Sequence, residues 1–461
     1  MVLLHVHAGA AKSCPESLKN PSVDMRNEFG PLRSQDSIGW CFSYATSDLL
    51  SHWIYKEYFL KTRNKFFDTR QRENMISASW GTAKYHEEKR REHINALKLY
   101  GPKEKELVSR YQDAVHNRKT IYDDVRKAAL ASPNKLFANA FSHFATLMER
   151  RERTKGDEHS RLSQEIERLS KIISDTGEMN KNVELAIQRL AVNTSEIKEL
   201  KKILNLIKNK GDLDGGDARK VFEWFVDKNT GFCRESELPS DDVKIPAFYG
   251  RKENIENLNK HIYGFLTLPS DASPETYKER LKCAVEAGRL LFPMLTAIEV
   301  AWILKKYQDD EDPIFNLAKK SCRTKLFIDE KTAAPEMAVL ENANKNNFGE
   351  IKKLLTEGSP VGIAYDGNRA ILPQQDFDTN ADSRHLSIVV GQRYNCEMGQ
   401  MEFIVRDSVG GPEGCDTFRE SFKKYNQIAP YKCEGGHYVI PESHLSKYSK
   451  EAYVIKTKGK K

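Results

Sequence analysis

The hydrophobic pattern changes period near Pro360, and this change constrains the fold more than any other feature of the chain. Beyond Pro360, apolar residues alternate with polar ones in short runs rich in β-branched and aromatic side chains, as half-buried strands require. The runs are PVGIAYD, RHLSIVVGQRY, MEFIVRDSVG, GGHYVIP and EAYVIK. The C-terminal part of the chain is therefore predicted to form an antiparallel sheet.

The chain before Pro360 has the pattern of helices. Apolar side chains recur at helical spacing from Cys41 to about Lys61, and again over Ala218 to Lys228, Ser273 to Leu291 and Met294 to Tyr307. Helices followed by a run of antiparallel strands indicate an α+β fold. A helical half packed beside a late sheet also leaves a natural cleft between the two halves.

Residues 83–210 differ in composition from the rest of the chain. They are rich in Lys, Arg and Glu and nearly lack Gly and Pro, which favours long solvated helices. Two apolar runs follow the seven-residue repeat of a coiled coil. They are Leu162, Ile166, Leu169 and Ile173, and then Val183, Leu190, Ile197 and Leu204. We expect the two runs to pack on each other as an antiparallel hairpin, with dimerisation as the alternative.

Charge and hydropathy argue against two classes of partner. The chain of 461 residues has 73 basic and 66 acidic side chains, a net charge of +7. No basic motif is interleaved with aromatic residues, so we interpret the excess as a solvated face and expect no nucleic-acid partner. No run approaches the roughly 18 to 20 apolar residues of a membrane span, so we expect none.

The N-terminal stretch MVLLHVHAGAAKSC has two interpretations. Its apolar residues followed by small ones resemble the end of a secretory signal, but a basic beginning is lacking. A truncated signal implies export, to a periplasm or outside the cell. An ordinary N-terminal strand leaves a cytoplasmic location open.

The eight cysteines are scattered and do not decide the compartment. One disulfide among Cys396, Cys415 and Cys433 fits an exported protein. A zinc site of Cys415, Cys433 and His437 has suitable ligand types but no CxxC spacing. We therefore expect no metal and no cofactor.

Cys41 stands where a helix is predicted to begin, six residues after Gln35. A thiol becomes a good nucleophile when it is held as the thiolate, which a helix N-terminus and a nearby imidazolium both favour. The backbone N–H of Cys41 and the side-chain amide of Gln35 can supply hydrogen bonds to an oxyanion. The alternative is that Cys41 packs as a small apolar residue in a core helix.

The surroundings of Cys41 resemble the nucleophile segment of papain-family cysteine peptidases. In DMRNEFGPLRSQDSIGWCFSYATSDLL, a Gln precedes the Cys by six residues, a Gly stands two residues before it and an aromatic residue follows it. The family's own signature is C-G-[SA]-C-[WY]. Three later stretches match in the family's order: DLDGGDARKVFEWFVDKNTGFCRESELP, SRHLSIVVGQRY and EFIVRDSVGG. The resemblance covers residues 20–80, 211–240 and 358–455.

This resemblance implies a papain-like two-lobed fold, with a helical left lobe and an antiparallel sheet as the right lobe, that hydrolyses peptide bonds of a polypeptide substrate. Cys41 would then attack the carbonyl carbon and His385 would carry the proton. Asp407 would orient His385, and Gln35 would stabilise the oxyanion. The residues implied to line the substrate cleft are Gly215, Gly216, Asp217, Ala218, Ala364 and Arg384.

Several positions depart from the family pattern. Asp407 stands where the family has Asn, and a carboxylate accepts from a ring N–H at least as well as an amide, so we expect a raised pKa for His385. Val409 stands where the family has a Trp that shields this contact, so we expect the contact to be more solvated. Ile38 and Leu213 replace the two cysteines of a family disulfide, an exchange of a covalent link for an apolar contact.

Two other functions stay open. Asp407, Val409 and the bulky Trp40 before the nucleophile also fit a weak or inactive papain-fold protein that acts as a binding module or scaffold. A papain-fold acyltransferase would use the same triad with an amine acceptor.

The spacing predicts large insertions. His385 follows Cys41 by far more than the roughly 130 to 150 residues of the family. We expect five segments: residues 1–82, with the nucleophile helix; 83–210, a helical insertion; 211–240, with the Gly-Gly motif; 241–357, a second helical insertion; and 358–461, the sheet lobe. The 83–210 helices are expected to cover the site or to dock a protein partner. A deletion that left rate and substrate choice unchanged would contradict this role.

Overall fold

The computed structural model of the chain shows an α+β protein. It describes residues 21–35, 39–153, 156–175, 181–208, 215–240, 251–266, 268, 271–307, 313–328, 334–340, 348–376, 384–409 and 411–459. The N-terminal stretch that suggested a signal, together with Ile38 and Leu213, lies outside these residues. The chain divides into two compact units: Met1–Lys89 with Gly211–Lys461, and Arg90–Lys210.

The elements have the following bounds. The helices are α1 (Cys41–Ile54), α2 (Ala78–Tyr100), α3 (Glu104–Leu130), α4 (Lys135–Arg153), α5 (Gly156–Asp175), α6 (Lys181–Lys208), α7 (Ala218–Val226), α8 (Arg251–Leu266), α9 (Pro274–Leu291), α10 (Ala297–Lys306), α11 (Pro313–Ser321), α12 (Phe348–Thr356), α13 (Gly367–Ile371), α14 (Gly411–Lys424) and α15 (Glu442–Tyr448). The strands are β1 (Val23–Asp24), β2 (Pro335–Leu340), β3 (Val361–Asp366), β4 (Arg384–Asn395), β5 (Gln400–Arg406), β6 (Lys432–Glu434), β7 (His437–Pro441) and β8 (Ser449–Thr457).

The described strands form one antiparallel sheet in the order β2-β8-β3-β4-β5-β7-β6, with β1 paired to β4. All five strands predicted after Pro360 are present, so this part of the prediction is confirmed. The prediction is wrong at strand β2, which lies within the 241–357 segment that was expected to be helical. It pairs with β8 at the end of the sheet, with Ala338 opposite Val454. The period of a single short apolar run does not show whether the run forms a strand or a helix.

Helix α1 is buried along its whole length against the sheet and α7. Its beginning at Cys41 confirms the predicted start, and helical structure continues through a π turn at Tyr55–Phe59 to Thr62. Gly362 of β3 permits the close packing, because a Cβ on it would lie 3.0 Å from Cδ1 of Leu49. Such contact on every side explains why α1 carries apolar residues around its full circumference.

A buried ionic network joins α1 to the sheet. Asp48 of α1 accepts hydrogen bonds from Arg33 and, at 2.7 Å, from Nε of Arg406 at the end of β5. Arg33 also contacts Glu235, whose carboxylate accepts from the N–H of Ser240 at 2.8 Å. A buried charge is costly unless it is paired with an opposite charge and hydrogen-bonded. The network therefore fixes α1 relative to the end of β5.

The second unit consists of the C-terminal part of α2 with α3, α4, α5 and α6. Helix α6 packs mainly along α3, and α5 packs mainly along α4. The two heptad runs are therefore not each other's main partners, which corrects the predicted hairpin. Leu200 and Leu204 of α6 join a core with Leu107 of α3, whereas Leu162 and Ile166 of α5 join one with α4. A heptad pattern marks the buried face of a helix without specifying which helix covers it.

Two disulfides join described cysteines. Cys415 bonds Cys433, as expected for one pair among the three late cysteines, and Cys233 bonds Cys322. Cys396 is also disulfide-bonded. The Cys415–Cys433 bond removes both thiolates from the zinc site that was weighed as an alternative. Among the described helices, none is both long and apolar enough to cross a membrane.

Candidate active site

Cys41 is the first residue of α1. The carbonyl of Trp40 accepts from the N–H groups of Ser43 and Tyr44, at 2.9 and 3.2 Å, and so begins the helical ladder. The N–H groups of Cys41 and Phe42 come before this ladder begins, at the positive end of the helix dipole. The Cys41 residue is 8% exposed, and it is one of two free cysteines among the described residues. The Cys41 side chain thus lies at the positive end of the helix dipole.

His385 lies near the start of β4, beside the end of β5. Its Nε2 is 2.7 Å from Oδ2 of Asp407. The hydrogen bond fixes the ring so that the other nitrogen, Nδ1, is the one available to a thiol. Burial lowers the pKa of His385, but the charges of Asp407 and Cys41, with side-chain hydrogen bonds to both, outweigh burial and raise it to about 10. The ring is therefore an imidazolium at neutral pH.

Asp407 follows β5 directly and is held by several donors. Its Oδ1 accepts from the N–H of Val409 at 2.6 Å, and its Oδ2 accepts from Tyr365 at 3.0 Å and from Ser387, besides His385. Burial alone would raise the pKa of this carboxyl, but the charge of His385 and the hydrogen bonds lower it below its usual value. Asp407 is therefore a carboxylate at neutral pH.

The contact between His385 and Asp407 is not solvated, contrary to expectation. The Asp407 side chain is 1% exposed and that of His385 is 9% exposed. The ring of Tyr365 meets the ring of His385 edge-on, with 5.5 Å between centroids. On its other flank, His385 lies so close to Gly367 that a Cβ there would sit 2.7 Å from the Cβ of His385. Tyr365 and Gly367 therefore enclose the contact between His385 and Asp407.

Gln35 is bound to the residue that follows Asp407. The N–H of Gln35 donates to the carbonyl of Ser408 at 2.7 Å, and its Oε1 accepts from the Ser408 hydroxyl at 2.6 Å. The second bond assigns the oxygen of the amide, so its NH₂ group is directed away from Ser408. Gln35 is 2% exposed. The amide is therefore held in one orientation beside the triad.

The Gly-Gly pair lies next to the start of α1. The N–H of Gly215 donates to the carbonyl of Gly39 at 3.0 Å, and Gly215 has a φ of +74°, which favours glycine. A Cβ on Gly216 would lie 2.3 Å from the ring of Phe42, the residue after Cys41. Glycine is therefore required at both positions for different reasons, one conformational and one steric.

The other residues expected in the cleft are found on α7, β3 and β4. Asp217 caps α7 by accepting from the N–H of Arg219 at 2.9 Å, and Ala218 is buried in the main core at 5% exposure. Ala364 is half-buried and lies between Leu386 and Glu451 in the sheet.

Electrostatic interactions relate the start of α7 to β8. Asp217 and, more weakly, Glu451 raise the pKa of Arg219, which places the start of α7 within electrostatic range of β8 beside Ala364. Arg384 is exposed at the first position of β4, opposite Asp366.

Sequence reasoning did not identify Tyr365, Ser387 and Ser408 as parts of this site. Ser387 stands two residues after His385 on one strand, so strand periodicity alone could have placed both on the same face. Tyr365 lies directly opposite His385 in the β3–β4 register, which the sequence does not specify. Ser408 has no sequence signal beyond its place after Asp407.

The described residues do not offer a separate metal centre. One group, Cys233, Glu237 and Cys322, has ligand atoms at suitable separations. Its two cysteines are joined in a disulfide and cannot act as thiolate ligands.

His385 thus interacts with both Cys41 and Asp407, and these residue types can serve as a nucleophile, a base and a group that orients the base. No protein-family model matches the chain, and no curated protein or solved structure matches it either. Its function is therefore inferred from these side chains and their geometry.

Proposed function

We propose that the protein is a papain-like cysteine peptidase with a helical lobe that carries Cys41 and a sheet lobe that carries His385 and Asp407. The observation that carries the proposal is the 2.7 Å contact between Nε2 of His385 and the buried carboxylate of Asp407. The same imidazole ring also interacts with Cys41 at the N-terminus of α1. A core cysteine needs none of these partners.

In the proposed reaction, the Cys41 thiolate attacks the carbonyl carbon of a peptide bond. The oxyanion that forms accepts hydrogen bonds from the Cys41 N–H and from the Gln35 NH₂ group. The His385 imidazolium gives its Nδ1 proton to the departing amine, which leaves a thioester on Cys41. His385 then takes a proton from water as the water attacks the thioester, and the acid product leaves.

Gly215 and Gly216 support the binding of an extended substrate. The space where a Cβ of Gly215 would stand is open, so a substrate strand can approach the Gly215 backbone closely and pair with it, whereas Gly216 makes room for the Phe42 ring beneath this strand. Asp217 and Ala364 would flank the side chains of that strand, and Arg384 would lie on the far side of His385. These residues are proposed to set substrate preference.

Covalent labelling with a thiol-directed epoxide tests the proposal. Cys283 is the other free cysteine among the described residues, so the experiment uses a Cys283→Ser background to report on Cys41 alone. We expect one epoxide per chain on Cys41, and labelling no faster than that of an ordinary thiol in His385→Ala. Equal rates in the two proteins would reject the triad and favour a scaffold.

Cleavage of a peptide library then separates a peptidase from an acyltransferase. Hydrolysis in the absence of any added amine supports the peptidase. Product that forms only with an added amine, together with normal epoxide labelling, would indicate transfer to that amine instead.

We include export in the proposal. The Cys233–Cys322 and Cys415–Cys433 disulfides support it, since the cytosol of most organisms keeps thiols reduced. Alkylation of the protein before any reduction, followed by mass measurement, should leave these four cysteines unmodified. Their complete alkylation would contradict export.

A further inference from the structure

Two hydroxyl groups converge on the carboxylate that orients His385. Oδ2 of Asp407 accepts from Tyr365 at 3.0 Å and from Ser387, and the two hydroxyl oxygens are 2.9 Å apart. Both residues are buried, at 0% and 1% exposure. We propose that Tyr365 and Ser387 are positioning residues that keep Asp407 ionised and directed at His385, an inference that rests on the proposed function.

The sheet register brings these groups together. Tyr365 of β3 lies opposite His385 of β4, so their side chains share one face of the sheet. Ser387 shares that face because it is two residues further along β4. Ile388 pairs with Arg406, the last residue of β5, which brings the residue after β5, Asp407, beside Ser387. The pairing of β4 with β3 and β5 therefore places both hydroxyls beside His385 and Asp407.

The donor set explains why a carboxylate occupies a position that is an amide in the family. The Val409 N–H donates to Oδ1, and Oδ2 accepts from His385, Tyr365 and Ser387. A carboxylate has only acceptor oxygens and satisfies every one of these donors. An amide would direct its NH₂ group either at the Val409 N–H, which cannot become an acceptor, or at His385.

The charges around Asp407 favour its anion. His385 on β4 is the cation that faces it, and Cys41 on α1 lies beyond the ring. Three tyrosines are within electrostatic range: Tyr365 on β3, Tyr438 on β7, and Tyr431 just before β6. Burial raises the pKa of each tyrosine, so they stay neutral. The two donated hydroxyls thus add to the stabilisation that His385 provides.

The test is an acid titration of the full chain by NMR, with ¹⁵N-labelled histidine and with Cys41→Ala to prevent turnover. The ring nitrogens of His385, assigned by their loss in His385→Gln, report the protonation of Asp407. In Tyr365→Phe with Ser387→Ala, fewer donors stabilise the anion, so we expect the low-pH inflection to move upward by about one pH unit. Ser387→Thr, which keeps the hydroxyl, is the matched control and should leave the inflection in place.

The result that would overturn the inference is an inflection within about 0.3 pH units of the parent in the folded double variant. If the double variant does not fold, Ser387→Ala removes a single oxygen and is judged by the same criterion. Because this titration needs no peptidase activity, it separates the inference from the proposed function. For the active enzyme, the double variant should lower kcat about tenfold and leave KM nearly unchanged, as expected when only orientation is lost.

Discussion

The carboxylate of Asp48 accepts a hydrogen bond of 2.7 Å from Nε of Arg406, the residue immediately before Asp407. Helix α1 carries both Asp48 and Cys41, so this buried pair connects the helix of Cys41 to the end of β5, which Asp407 follows. Arg33 contacts the other oxygen of Asp48. The relative position of Cys41 and Asp407 thus depends on a charge network outside the proposed triad.

Removal of the Asp48 charge should destabilise the protein. Asp48→Asn leaves Arg33 and Arg406 buried with less compensating charge, and we expect a loss of about 3 kcal/mol in the free energy of unfolding. The matched control is Glu420→Gln, which breaks an ion pair with Lys423 whose side chains are 55% and 67% exposed. That change should cost less than about 0.5 kcal/mol. Urea unfolding measures both values, and equal losses would contradict the argument.

The Asp407 charge should set the alkaline limit of activity. The pKa of His385 is raised to about 10, so the imidazolium, which in the proposed reaction protonates the leaving amine, is lost only as the pH rises through that value. Its contribution to stability is likewise complete below about pH 6.5 and disappears towards about pH 10. We expect Asp407→Asn to move the alkaline limb of kcat/KM downward by about one pH unit or more.

Asp416→Asn is the control for this profile. Asp416 is an exposed carboxylate on α14 that pairs with Arg419 at 2.8 Å. Its removal should leave the profile unchanged. An alkaline limb that stays in place in Asp407→Asn would mean that this carboxylate does not govern the ring.

Gly216→Ala should disturb the start of α1. The added Cβ would lie 2.3 Å from the ring of Phe42, which must shift beside Cys41. We expect a loss of about 1 to 3 kcal/mol in stability and slower epoxide labelling of Cys41. Gly349→Ala is the control, because Gly349 lies in α12 with open space around it. That change should stabilise the helix by roughly 0.5 to 1 kcal/mol and leave labelling unaffected.

The Cys415–Cys433 disulfide should contribute measurably to stability. It closes a loop with a sequence separation of 18 residues. Substitution of both cysteines by Ser should lower the free energy of unfolding by about 2 to 4 kcal/mol. Cys283→Ser, which removes a free thiol, should change it by less than about 0.5 kcal/mol. Similar effects in the two proteins would show that the loss comes from the side chains and not from the crosslink.

The predictable parts of the structure are those determined by local pattern. The start of α1 at Cys41 and the positions of β3, β4 and β5 followed from hydrophobic period; α1 carries Cys41, β4 carries His385, and Asp407 comes directly after β5. Hydrophobic period did not predict which helices pack against α5 and α6, because any apolar stripe of suitable width can cover another. Tyr365 was missed because its role depends on the pairing of β3 with β4, which is a long-range property. Strand periodicity could have placed Ser387 on the face of His385, but its contact with Asp407 depends on the pairing of β4 with β5.

The Cys233–Cys322 disulfide has a consequence for how this chain can vary. The two residues are 89 apart in sequence, yet their Cα atoms are 5.9 Å apart, and a bridge between Phe232 and Leu326 lies beside them. The stretch that contains α8 to α11 is thus a long insertion whose two ends are held together by this disulfide. The cost of closing such a loop grows only slowly with its length. The length of this stretch can therefore vary at little entropic cost where its core residues, such as Phe315 and Leu317, are kept, because these pack in the same core as α1 and the sheet.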